Sequence, residues 1–234
     1  MEYIRKAHER GHAQFSWLDS HHTFSFGGYY DPAHMGFSNL RVINDDTVKP
    51  GAGFETHGHA NMEIVSYITQ GTIAHQDSTG NQYTIPQGEL QRMTAGRGIE
   101  HSEFNFSQSE PLKFLQIWIE PQQRNIPPSY EQKTIESQPG LQLVVSPKGE
   151  ADSLSINADA SIYRLQLNDN ESTELTRQEN RWGYLHIVQG SLTINDEAFQ
   201  TGDGIGVVNT QALNIQAHEN SVALWFDLPP VPQH

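Results

Sequence analysis

The sequence predicts an all-β protein built from two barrel-like units in tandem. Short segments rich in β-branched and aromatic residues recur along the 234-residue chain, each bounded by Gly, Asn, Asp or Pro. No long stretch carries the 3.6-residue period of an amphipathic helix. One pattern also occurs twice: YITQGTI (67–73) and HIVQGSLTI (186–194) are each an apolar strand, Gln-Gly, and a second strand. A repeat of that kind is the mark of two copies of one structural unit.

The elements follow in order. LRVIN (40–44), EIVSYIT (63–69), QYTIP (82–86) and KFLQIWI (113–119) read as strands, with a turn at DSTGN (77–81). PQQRNIPPSYEQKTIESQPG (121–140) is rich in Pro and Gln and weakly periodic, and reads as a connection. The division is therefore a first unit over 1–125, a linker over 126–140 and a second unit over 141–234. Strands resume at LQLVVSP (141–147), SIYRLQLN (161–168), GYLHIVQGSLTIN (183–195) and VALWFDL (222–228). ESTELTRQEN (171–180) reads as a short helix or a polar loop.

Composition narrows the function. The net charge is −14, from 14 basic and 28 acidic residues, so phosphate backbones and anionic membrane surfaces are repelled. Cysteine is absent, which removes disulfides, thiolate nucleophiles and sulfur ligands; any metal must be held by nitrogen and oxygen. The N-terminus has no apolar signal-like run, and no segment approaches the roughly 20 apolar residues of a membrane span. A cytoplasmic protein is expected.

Two short motifs stand out from this background: His57-Gly58-His59 and His101-Ser102-Glu103. With 12 histidines in the chain, one such pair is cheap, and the bland reading is four unrelated polar residues on strand faces. Residues i and i+2 of a strand share a face, however, so two such pairs on neighbouring strands can converge. Three imidazoles and a carboxylate suit a divalent transition metal, and four protein ligands leave two positions of an octahedron open to substrate or dioxygen. Glu100 falls on the opposite face from His101 and is expected in solvent or beside Arg97. Ahead of the second Gln-Gly, Thr176 and Gln178 stand where His57 and His59 stand ahead of the first.

Gly51, five residues, His57-x-His59, then Glu63 and Gly71 resemble the first cupin motif. Gly80, five residues, Pro86-x-Gly88, then His101 with three residues to Asn105 resemble the second, with 12 residues between Gly88 and His101. HGHANMEIVSYITQG (57–71) and MTAGRGIEHSEFN (93–105) resemble the pirin family, and HTFSFGGYYDPAHMGFSNLRVINDD (22–46) resembles its bacterial pirin-like quercetin 2,3-dioxygenases. The resemblance implies a bicupin: two tandem cupin barrels of jelly-roll type, with metal in the first and none in the second. It implies His57, His59, His101 and Glu103 as ligands, and moves the carboxylate from Glu63 to Glu103. Fe(II) is the first expectation for the metal, with Ni, Cu, Co, Mn or Zn as alternatives. It further implies a flavonol substrate and O2, with Glu103 taking the substrate proton and carbon monoxide leaving. The alternative implied by the same family is a metal- or redox-sensing regulator that binds a protein partner.

Other residues carry blander expectations. Glu63 is expected in a structural role, such as a hydrogen bond to a ligand histidine. His75 is expected as a satisfied or exposed strand residue. His21, His22, His34, Tyr29 and Tyr30 belong to an aromatic cover on the first barrel, and His186 is structural. Some of Phe54, Met62, Met93, Phe104, Phe106 and Trp118 are expected to line an apolar pocket.

Overall fold

Leu40–Val48 is the longest strand among the described residues. Val42, Ile43 and Asn44 are buried in succession because one face meets the barrel interior and the other meets the second half of the chain, and burial alternates only where the second face is less covered. The same logic sets its neighbours. In a computed structural model that describes residues 1–231, the first barrel pairs a seven-stranded sheet with a four-stranded one. The larger runs Ser129–Thr134, Glu89–Thr94, Glu63–Gln70, Leu112–Ile119, Leu40–Val48, Leu18–His22, Gly11–Gln14. The smaller runs Gly53–His59, Ile99–Asn105, Thr72–Asp77, Gln82–Pro86.

The second barrel repeats this plan strand for strand. Its large sheet runs Tyr3–Arg5, Gly204–Val207, Trp182–Gln189, Ser221–Leu228, Ser161–Leu167, Gly140–Ser146, Leu154–Ser155. Its small sheet runs Ser172–Thr176, Ala212–Ala217, Ser191–Ile194, Glu197–Gln200. The stretch 171–180, read from sequence as helix or loop, is therefore a strand over Ser172–Thr176. Its polar side chains face solvent while Leu175 reaches the core. The last three residues of the second unit lie outside the described residues.

Two segments cross the division drawn from sequence. Tyr3–Arg5, at the start of the chain, pairs with Gly204–Val207 at the edge of the second barrel. Ser129–Thr134, within the expected linker, pairs with Glu89–Thr94 at the matching edge of the first. Each large sheet thus ends, on this side, in a strand drawn from a connecting or terminal segment.

The outer faces of the two large sheets pack on each other. Phe24, Leu40, Ile43 and Val65 share one apolar cluster with Val144, Tyr184 and Phe226. Glu63 sits on this face. Its Oε2 accepts from Thr94 Oγ1 at 2.8 Å and from the Asn157 backbone N–H at 3.2 Å, so it ties the barrels together and touches no ligand histidine. The expected bond from Glu63 to a histidine is corrected accordingly. Among the described residues no helix is long and apolar enough to cross a membrane.

The interiors of the two barrels differ. Leu175, Leu185, Ile205, Leu213, Ile215 and Trp225 fill the second. The first has apolar clusters around Ile68, Ile73 and Phe114 and around Ile64 and Met93, with polar side chains between them. Each buried aliphatic is worth about 1.5–3 kcal/mol. The second barrel is plugged by its own core, whereas the first keeps polar groups where that gain would otherwise lie.

Candidate metal centre

Two neighbouring strands of the small sheet bring the sequence motifs together. Gly53–His59 runs antiparallel to Ile99–Asn105, with His101 opposite His57 and Glu103 opposite Phe54. Three residues on one strand thus span two on the other, a bulge between the pairs. Bulges re-aim side chains beside functional sites. Here the bulge puts Phe54, His57 and His59 all on the cavity wall. Gly53 closes the approach: a Cβ there would lie 2.4 Å from the Glu103 carbonyl oxygen and 2.4 Å from Phe104 Cα. Only the absence of a side chain lets the two strands come this near.

The three imidazoles converge. Ring centroids are 4.8 Å apart for His57–His59, 4.5 Å for His57–His101 and 4.9 Å for His59–His101. One nitrogen from each falls in a group whose members all lie within 4.8 Å of one another. His59 Nε2 and His101 Nε2 are 3.0 Å apart. Two nitrogens bound at right angles to one ion at about 2.1 Å would be about 3.0 Å apart, so this spacing fits adjacent ligands of a single metal. His57 Nδ1 donates to the Glu55 carbonyl at 2.7 Å, which fixes the ring and leaves Nε2 as the lone-pair nitrogen.

Burial keeps two of these rings neutral. Desolvation, then the neighbouring His101 and His57, lower His59 to about 4. Desolvation, then His57 and His75, lower His101 to about 3. Neutral imidazole is the form a metal needs.

Glu103 is 1% exposed and is held by three donors. Its Oε1 accepts from Gln91 Nε2 at 3.1 Å and Ser66 Oγ at 3.3 Å, and its Oε2 from Gln116 Nε2 at 3.0 Å. These donors fix both oxygens of the Glu103 side chain in one orientation. Glu103 groups most tightly with His101 and with His75, within 4.8 Å. Glu100 is exposed, as its strand phase requires.

His75 is the residue that sequence reasoning undervalued. It is directly opposite Glu103, is 3% exposed, and its Nε2 lies 3.0 Å from Asp77 Oδ2. Burial raises the Asp77 carboxyl, but hydrogen bonds from Thr79, Asn81 and His75 outweigh this and hold it well below the usual range. An ionised Asp77 makes His75 Nε2 the donor, so His75 Nδ1 carries a lone pair, buried and unpartnered beside the site among the described residues. The available signal was the spacing His75-x-Asp77, the same i, i+2 pattern as the two motifs already singled out. Ser66, Gln91 and Gln116 were also missed; Ser66 and Gln116 are lone polar residues in apolar runs, and Gln91 stands beside Arg92 in a mixed strand.

The pairing registers show what the second barrel puts at these places. Aligned through Gln70-Gly71 and Gln189-Gly190, Leu213 answers His101, Ile215 answers Glu103 and Leu175 answers His57. Leu185, Ile205 and Trp225 answer Ser66, Gln91 and Gln116. Leu175 thus takes the place that the sequence offset gave to Thr176. His186 is alone, 1% exposed and lowered by burial to about 3.

His57 and His59 open onto a cavity of about 1090 Å³, just beyond the roughly 300–1,000 Å³ of small-molecule sites. Phe15, Trp17, Phe26, Phe54, Phe104 and Trp118 line it. The Trp118 ring stands edge-on to His59 at 4.9 Å. Of the expected pocket residues, Met93 is instead buried in the apolar cluster that Met62 packs against, and Phe106 is 62% exposed. Tyr29 packs against Arg5, and Tyr30 is exposed.

Comparison with known proteins bears on the same residues. The pirin family model matches residues 3–119, and the model of the quercetinase C-terminal cupin domain matches residues 143–228. This chain belongs to the pirin family. Among pirins, it is 48% identical over 231 residues to the quercetin 2,3-dioxygenase of Escherichia coli K12, covering 99% of this chain and 100% of that one. The crystal structure of YhhW from Escherichia coli superposes with a TM-score of 0.95 at 48% identity, covering 99% of each chain. Bacterial pirin YhhW in complex with nickel(II) gives 0.94 at 48% identity, covering 98% of this chain and 99% of that one. Both barrels of this pirin are cupin domains, the first with the cluster of potential ligands and the second with an apolar plug.

Proposed function

We propose that this pirin is a metal-dependent dioxygenase that cleaves flavonols such as quercetin with O2 and releases carbon monoxide. The observation that carries the reading is a histidine cluster at the wall of a large aromatic cavity, in a chain 48% identical along its length to a quercetin 2,3-dioxygenase. His57, His59, His101 and Glu103 are the proposed ligands, and Fe(II) the proposed metal. The nickel(II) of the Escherichia coli relative is compatible, since nickel outcompetes iron at most nitrogen and oxygen sites.

A divalent metal at this site would supply Lewis acidity toward the flavonol's 3-hydroxyl. The chain supplies the rest. Trp118, Phe54 and Phe104 offer flat apolar faces to a planar polycyclic substrate and keep water from its reacting ring. The Glu55 carbonyl fixes the orientation of His57. Glu103 accepts the 3-hydroxyl proton, and the amides of Gln91 and Gln116 hold its carboxyl group in position. Dioxygen then adds to the electron-rich ring, which opens to a depside.

The test is turnover of quercetin by metal-loaded protein in air and under argon, with carbon monoxide measured in the headspace. Consumption under argon, or consumption in air without carbon monoxide, refutes the reaction. A kcat/KM far below roughly 10⁴ M⁻¹s⁻¹ makes quercetin a surrogate. Metal analysis of protein produced under defined metal supply tests Fe(II).

A further inference from the structure

The cavity has a second polar patch that no ligand histidine belongs to. It lies on the large sheet of the first barrel, where His22, Asn44 and Gln116 stand directly opposite one another across adjacent strands, and Ser20 stands opposite Asp46. All five residues line the cavity. His22 is 5% exposed, Asn44 2% and Asp46 2%. Among the described residues three of their atoms are buried without any hydrogen-bond partner: His22 Nδ1, Asn44 Oδ1 and Asp46 Oδ1. His22 Nε2 is already taken, lying 2.9 Å from Ser20 Oγ.

Buried polar atoms left unpaired cost stability, and native proteins seldom keep several side by side. The fold does not require these. In the second barrel the same register positions are Leu143 for His22, Tyr163 for Asn44 and Leu165 for Asp46. The first barrel thus holds polar groups where its twin has leucine at two of the three positions. Two of the three unpartnered atoms, Asn44 Oδ1 and Asp46 Oδ1, are oxygens two residues apart on one strand face.

Resting on the flavonol reading above, we propose that His22, Asn44 and Asp46 form a subsite for the hydroxyl groups of a polyhydroxylated aromatic ring, distinct from the metal ligands. The phenolic O–H groups donate to Asn44 Oδ1 and Asp46 Oδ1, and His22 Nδ1 completes the set. The aromatic walls then bind any planar polycycle, while this patch selects those that carry ring hydroxyls.

The experiment is anaerobic titration of the metal-loaded protein with quercetin and with 3-hydroxyflavone, which lacks the ring hydroxyls, followed by tryptophan fluorescence. Without O2 the flavonols are not consumed. The wild type is expected to bind quercetin at least about tenfold more tightly, and Asp46→Leu to reduce that ratio by about tenfold. His22→Leu reads the same patch should Asp46→Leu not fold, and circular dichroism with metal content certifies either variant. A wild type without preference, or a folded variant that keeps the full ratio, overturns the subsite. Turnover in air is scored separately: its absence removes the dioxygenase reading, while the binding ratio still decides the subsite.

Discussion

Gly53→Ala places one methyl group into the contact that brings the two ligand strands together. Its Cβ would lie 2.4 Å from both the Glu103 carbonyl oxygen and Phe104 Cα, whereas ordinary contact begins at 3.4 Å. The two nearest neighbours are backbone atoms, so moving the Phe104 ring, whose Cγ would lie at 2.6 Å, does not relieve the clash, and the strands must part by about 1 Å. His57 and His59 ride on one strand and His101 and Glu103 on the other. The separation therefore falls on the geometry of the proposed metal ligands. A misplacement of about 1 Å costs on the order of 10²-fold in rate, and overpacking of this kind costs about 1–3 kcal/mol of stability. Gly58→Ala, between the two histidines, is the control, because its Cβ would meet nothing nearer than 3.8 Å. Metal affinity by chelator competition, quercetin turnover and thermal melting are measured on both variants. Gly53→Ala is expected to lose metal affinity and about 10²-fold in turnover, and Gly58→Ala to stay within a few-fold of wild type. A Gly53→Ala protein that binds metal and turns over like wild type would refute the close approach as the device that sets the site.

Gln91→Leu and Gln116→Leu each remove one donor from Glu103 and are expected to weaken metal binding roughly 10–100-fold, read by chelator competition. Unchanged affinity in both would mean that Glu103 needs no such support. His186→Leu is expected to flatten the acid side of the stability profile. His186 is lowered from 6.5 to about 3, so below pH 6.5 the unfolded chain binds a proton that the folded chain refuses, and stability falls as pH drops. The slope is about 1.4 kcal/mol per pH unit, so urea unfolding of metal-free protein at pH 6.5 and 5 should show the variant gaining roughly 2 kcal/mol on the wild type. A constant difference between the two pH values contradicts that assignment.

The strands and the histidine motifs were legible because their causes are local. Alternation and turn residues mark Gln82–Pro86 to the residue, and i, i+2 spacing puts His101 and Glu103 on one face while turning Glu100 away. The edge strands were not legible, since Tyr3–Arg5 finds its partner about two hundred residues away and nothing near it in sequence signals that pairing. Ser172–Thr176 reads as loop because only one side of it meets a core, which leaves its polar outer face in view. The supports of Glu103 were hidden in apolar runs: Ser66 in EIVSYIT and Gln116 in KFLQIWI look like interruptions until the fold points them at one carboxylate. His75 was expected as a satisfied or exposed strand histidine; it is buried, with Nε2 satisfied by Asp77 two residues later, but sequence alone did not show how near it lies to Glu103.

The choice among candidate ligands is tested most directly by a crystal structure of this protein with nickel(II), located by its anomalous scattering. Of the three groups of potential ligands among the described residues, two share His101 and compete for this ion: His57, His59 and His101 on one side, and His75, His101 and Glu103 on the other; the third, His12, Asp19 and His21, lies apart from them. The account predicts one nickel at roughly 2.0–2.2 Å from a nitrogen each of His57, His59 and His101 and an oxygen of Glu103, with His75 left outside. A nickel bound by His75, or one without Glu103 among its ligands, would contradict it.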